Sequence, residues 1–175
     1  MASDYTIVMW VRHRFGLNEY TTGGDPDFVD NEDSNAPFVG LTGEFPFSCP
    51  NIDSTQGAVL QFEYRGSSQF GTWPDPAGDP TSLEGITPEY PVMINGRQLA
   101  GGVPGAAVRG HLPLWGTRVL LVDPDVLKEE NSLLIAASVD YGGATYEDKF
   151  TIDNVVLFFK TKVATSQPDI GPAKG

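Results

Sequence analysis

Apolar and polar positions alternate with period two in several short stretches of the chain, and no long stretch has helical period. From Ala58, the residues Ala58, Leu60, Phe62 and Tyr64 alternate with Val59, Gln61, Glu63 and Arg65, and Gly66 ends the run. Residues 4 to 15 predict a first strand. Tyr5, Ile7, Met9 and Val11 form its apolar face; Trp10, Arg12 and Arg14 lie on the other. Val119–Val122 and Asn131–Tyr141 predict two more strands. The clearest runs from Asp148 to Val163. Its apolar positions Val155 to Phe159 follow without a break before Lys160 and Lys162. Such a run predicts a central strand, buried on nearly both faces and covered by a partner sheet.

The connections are equally legible. Pro91–Gly102 predicts a hairpin turning at Asn95-Gly96, a type I′ signal. Asp123–Asn131 predicts a helical turn, with Asp123 as N-cap and Pro124 in the first helical position. Pro37, Pro46 and Pro50 predict an irregular path that no long ladder can follow. Long loops are expected from Gly16 to Asn35, from Ser67 to Tyr90 and from Val103 to Gly116, and a turn from Tyr141 to Asp148. The sum is an all-β chain: an antiparallel β-sandwich of jelly-roll type with long loops and one short helical turn. We expect one domain over 1–163 and a polar, Pro/Gly-rich tail over 164–175.

Composition narrows the function classes. The 175 residues carry a formal net charge of −12. A strongly acidic chain repels phosphate backbones and anionic lipid, so nucleic acid is not an expected partner. No apolar run reaches the length of a membrane helix, so membrane insertion is not expected. Cys49 is the one cysteine, which excludes an intrachain disulfide; beside Pro50 it reads as a small buried residue. The N-terminal residues do not have the pattern of a signal peptide.

Three groups of residues invite chemistry. Asp25, Asp27, Asp30, Asn31, Glu32 and Asp33 crowd oxygen ligands into one acidic loop, which suits calcium, although the spacing is not that of an EF-hand. A solvated acidic loop is the plainer reading. Phe70, Trp73, Tyr90, Trp115, Tyr141 and Tyr146 fall in predicted loops. Aromatic rings stack on the C–H faces of sugars while amides and charges take the hydroxyls. Trp73 with Asp75, and Trp115 with Arg118, offer that combination, and Tyr90 and Tyr141 extend it. The same rings could instead fold inward to close the ends of a sandwich. Catalysis has no comparable support. There is no G-x-S-x-G, and neither His13 nor His111 stands in a motif.

The order of elements from Ala58 to Lys160 resembles the galactose-binding-like jelly-roll domains, of the type found as carbohydrate-binding modules. The residues that carry the likeness are the strand AVLQFEYRG, the Asn95-Gly96 hairpin, the D-V-L-K turn at 125–128, the N-x-L-x-I strand from Asn131, and the closing strand with Asp153 and Asn154. The resemblance implies a sandwich of eight or nine strands, often with a structural calcium and sometimes a sugar site in loops at one edge. The family's calcium ligands do not map position by position, and the first 57 residues lie outside the likeness.

Two functions follow as expectations. The first is a non-catalytic glycan-binding module, stabilised by calcium at Asp25, Asp27, Asp30, Asn31 and Asp33. Its ligand site would include Trp73, Asp75, Tyr90, Trp115, Arg118 and Tyr141. The second is a structural or assembly protein, such as a capsid-decorating, coat or appendage subunit, whose partners are neighbouring protein subunits and which can form oligomers.

Overall fold

The computed structural model describes residues 2–16, 36–65, 89–104, 115–141, 144–147 and 150–162. These residues form two main sheets facing each other across one core. The first sheet takes β1 (Ala2–Met9), β2 (His13–Phe15), β3 (Phe38–Gly40), β5 (Ala58–Arg65), β8 (Gly116–Val122) and β12 (Phe150–Thr161). The second takes β4 (Thr42–Ser48), β9 (Glu130–Ala136), β6 (Glu89–Ile94) and β7 (Arg97–Pro104), side by side in that order. A separate hairpin joins β10 (Ser138–Tyr141) to β11 (Ala144–Glu147). All pairings are antiparallel except β2 with β3. An all-β sandwich is what the alternation predicted.

The closing strand is central, as expected. β12 pairs with β1 and β2 along one edge and with β5 along the other. It is not buried on both faces. Phe150 and Ile152 point into the core, and so do Val155, Leu157 and Phe159, so the inward parity changes between them. The change falls at a β-bulge between Asp153 and Val156, where Asn154 takes a left-handed φ of 51°. An extra residue in one strand reverses the side-chain alternation. Phe158 therefore points outward although it sits inside the apolar run.

The core fills the space between the sheets. Leu60, Phe62, Leu120 and Leu157 meet Val92, Ile94, Leu133 and Ile135. Phe15 stacks on Phe150 with ring centroids 5.3 Å apart, and the Tyr90 ring lies 5.6 Å from that of Phe150.

Five local expectations change. Asn131–Tyr141, expected as one strand, forms β9 and β10, which belong to different sheets. Residues 4 to 15 form two strands, because Trp10–Arg12 leave the ladder between β1 and β2. The proline-containing segment forms β4, a seven-residue strand; Pro46 is accommodated because β4 is the edge of its sheet. Within the turn expected from Tyr141 to Asp148, Ala144–Glu147 forms β11, paired with β10. The 123–129 segment is a turn and not helical. Asp125 has a φ of 65°, which a right-handed helix forbids, and its N–H donates to Ser54 O at 2.8 Å. That turn buries the adjacent Val126 and Leu127 together. The expected tail over 164–175 lies outside the described residues.

Candidate binding face

Alternation fixes what the six-stranded sheet shows to solvent. With Leu60, Phe62, Leu120 and Leu157 inside, their neighbours point out. Register then sets these neighbours in rows across four strands. Tyr5 faces Phe158, Phe158 faces Val59, and Val59 faces Leu121. Two residues along, Ile7, Val156, Gln61 and Val119 form a second row in the same way. The two rows carry no charge. Trp10 follows β1 and stands 74% exposed; Leu121 is 71% exposed and Phe158 45%.

Polar groups border the rows at each end. On one side Lys160 pairs with Ser3, and its Nζ donates to Ser3 Oγ at 2.6 Å. On the other, Asn154 Nδ2 donates to Glu63 Oε2 at 2.8 Å. Between Tyr5, Ile7, Trp10, Val156 and Phe158 lies a shallow groove of about 320 Å³, which Asn154 also lines as its one amide side chain.

Beyond Glu63 the face turns charged. Arg12 Nε donates to Asp153 Oδ2 at 3.1 Å, and the Arg12 guanidinium lies 4.6 Å from the centre of the Trp115 ring. The Arg65 guanidinium lies 5.9 Å from the same ring. A cation over an indole face is held by the ring quadrupole, so Trp115 is clasped rather than loose. It remains 37% exposed.

The residues expected to bind ligand are placed as follows. Trp115 is on this face, but its partners are Arg12 and Arg65 rather than Arg118. Arg118 pairs with Glu89 and so links β8 to β6 across the two sheets. Tyr90 is not on a loop: it lies on β6, 2% exposed, and belongs to the core. Tyr141 lies on β10, opposite Ala144. Trp73 and Asp75, and the calcium candidates Asp25, Asp27, Asp30, Asn31 and Asp33, lie outside the described residues. Among the described residues no three His, Cys, Asp or Glu side chains come close enough to share a metal ion.

Two further groups have structural surroundings. His13 packs edge-on against Phe45, with ring centroids 5.0 Å apart. Cys49 is fully buried, and burial, reinforced by the charges of Glu130 and Asp4, pushes its thiol pKa up to about 12. A thiol held protonated is a poor nucleophile.

Sequence reasoning did not find Tyr5, Val119, Leu121 and Phe158 as surface residues. Each sits in a strand whose apolar content reads as core. Only the packing of the second sheet on one side decides which of them face water.

No family description matches the sequence, and no curated relative does. Among solved structures, the chain is similar to BuGH86wt in complex with neoagarooctaose, with a TM-score of 0.41 and 12% identity over 89% of this chain and 19% of that one. It is also similar to the ANX1 ectodomain from Arabidopsis thaliana, with a TM-score of 0.37 and 12% identity over 86% of this chain and 39% of that one. The chain thus spans about a fifth of the first structure and two fifths of the second. Overlaps this low carry no argument about function.

Proposed function

We propose that the chain is a non-catalytic β-sandwich module that docks a protein surface on the outer face of its six-stranded sheet, in the role of a structural or assembly subunit. The observation behind this reading is the pair of charge-free rows from Tyr5 to Leu121 and from Ile7 to Val119. Contiguous exposed apolar surface on a water-soluble fold commonly serves as a contact surface. The aliphatic half of the face, Val59, Val119 and Leu121, suits the side chains of another protein.

A polar ligand would need several groups aimed at its hydroxyls. In the groove Asn154 is joined only by the Tyr5 hydroxyl and the Trp10 indole N–H, and its amide already serves Glu63. One observation still favours glycan: the exposed Trp10 and Tyr5 line one groove together with Asn154, and rings of this kind stack on sugars.

Two measurements test the docking role. An environment-sensitive apolar dye added to the dilute native protein should bind, and Leu121→Asp should abolish the signal. A native protein that leaves the dye dark would overturn the reading. A glycan array that returns a polysaccharide whose binding is lost in Trp10→Ala would replace it with the sugar-binding one.

A further inference from the structure

We infer that the partner on this face is a second copy of the same chain, docked sheet to sheet about a two-fold axis that lies between the copies and runs across the strands. Resting on the docking role above, this assigns its occupant.

The order of levels along the face carries the inference. From one end it runs Lys160 with Ser3, the row of Tyr5 and Phe158, the row of Ile7 and Val156, then Asn154 with Glu63. A two-fold axis across the strands, placed between the two apolar rows, reverses that order in the second copy. The row of Tyr5, Phe158, Val59 and Leu121 then covers the row of Ile7, Val156, Gln61 and Val119 of the other copy. Each Lys160 level lies over an Asn154–Glu63 level, so a cation meets a carboxylate at both ends by one and the same symmetry. The axis along the strands would instead set the Lys160 level over itself and the Asn154–Glu63 level over itself, bringing like charges to the same end.

Charge points the same way. At a net charge of −12, two copies repel each other through most surfaces. The outer face has an uncharged centre with Lys160 next to it at one end and Glu63 at the other, and so offers a contact where that repulsion is locally reversed.

Size sets the strength. Four strands spaced about 4.8 Å apart and four levels about 6.7 Å apart cover roughly 500 Å² per copy, about 1,000 Å² for the pair, at the lower end of specific interfaces. A reversible dimer with a dissociation constant on the order of 10 μM is expected.

Sedimentation equilibrium of the full chain, from low micromolar to several hundred micromolar, tests this. The expected result is a monomer–dimer equilibrium that disappears in Phe158→Glu and in Leu121→Asp, each first shown by thermal melting to be folded. Lys160→Glu and Glu63→Lys should each weaken the dimer by roughly threefold to tenfold, and the double reversal should restore it. A strict monomer throughout the range overturns the inference, as does a dimer indifferent to Leu121→Asp. Failure of the double reversal to restore the dimer overturns the two-fold arrangement. A monomer whose face still binds the apolar dye would leave the docking role standing with a different protein as partner; a dark face would remove both.

Discussion

Asn95 Nδ2 donates to Asn131 Oδ1 at 2.9 Å, and this bond ties the β6–β7 turn to the turn before β9. Asn95 turns the hairpin with a φ of 52°, and its side chain also reaches Val126 O at 2.8 Å while its Oδ1 accepts from Ser132 N at 3.0 Å. Asn131 in turn accepts from Lys128 N at 2.8 Å and donates to Lys128 O at 2.7 Å. The N-G, D-V-L-K and N-x-L-x-I motifs that carry the family resemblance are therefore parts of one polar clamp. Their polar groups bond one another and hold the two turns together.

Asn131 is the buried centre of that clamp, so its loss leaves the N–H and the carbonyl of Lys128 without their partner and removes one acceptor of the Asn95 amide. Unsatisfied buried groups cost about 1–3 kcal/mol each in destabilisation, with partial relief from water. Asn131→Ala is expected to destabilise the protein by about 2–4 kcal/mol, and Asn95→Gly, which keeps the left-handed turn, by less. Urea denaturation of the two variants measures both, and equal losses would contradict the central place given to Asn131.

Gly102 has no room for a side chain. A Cβ built there would lie 2.0 Å from Tyr90 O, a backbone atom that cannot swing aside. Gly102→Ala must push β6 and β7 apart where they pair at Pro91 and Gly102. A loss of about 3 kcal/mol or more is expected, in the range of severe overpacking. Gly96→Ala meets no neighbour within 4 Å and should cost only the strain of its positive φ, about 1 kcal/mol. Thermal melts of the pair should rank them in that order.

How far the sequence discloses this molecule depends on the range of the interaction. The β5 alternation and the Asn95-Gly96 turn are local, and both appear as expected. Phe158 is different. A run of apolar residues has no internal period, and the bulge at Asn154 shifts its parity, so the outward face cannot be read from composition. Trp115 was recognisable as a candidate, but its clasp by Arg12 joins residues distant in the chain, and the nearer Arg118 is spent on Glu89. The helical turn failed for a related reason: Asp123 and Pro124 favour a helix start, yet Asp125 takes a left-handed φ beside the buried Val126 and Leu127 and bonds the distant Ser54.

The bulge itself can be tested at Asn154. Its φ of 51° suits Asn or Gly and penalises β-branched residues. Asn154→Gly should leave stability within about 0.5–1 kcal/mol of the parent, and Asn154→Val should lose about 2 kcal/mol. Chemical denaturation compares them. Equal stability of the two variants would mean that the parity change in β12 does not depend on this conformation.

Cys49 gives the protein a distinct response to alkali. Its thiol is held protonated to about pH 12 in the fold, against an ordinary value of 9.0. Between those limits the unfolded chain has released its proton and the native one has not. The unfolded state then binds fewer protons, so unfolding becomes easier as pH rises. Stability from this group is complete below about pH 9 and declines by about 1.4 kcal/mol per pH unit above it. Cys49→Ala has no thiol to titrate and should lack this component of the slope. Urea midpoints of parent and variant, followed from pH 8 to 11, should therefore converge as pH rises. In the same range Cys49 should stay inert to aromatic disulfide reagents until denaturant is added; parallel stability curves, or rapid labelling of the folded protein, would show that the thiol is not held protonated by burial.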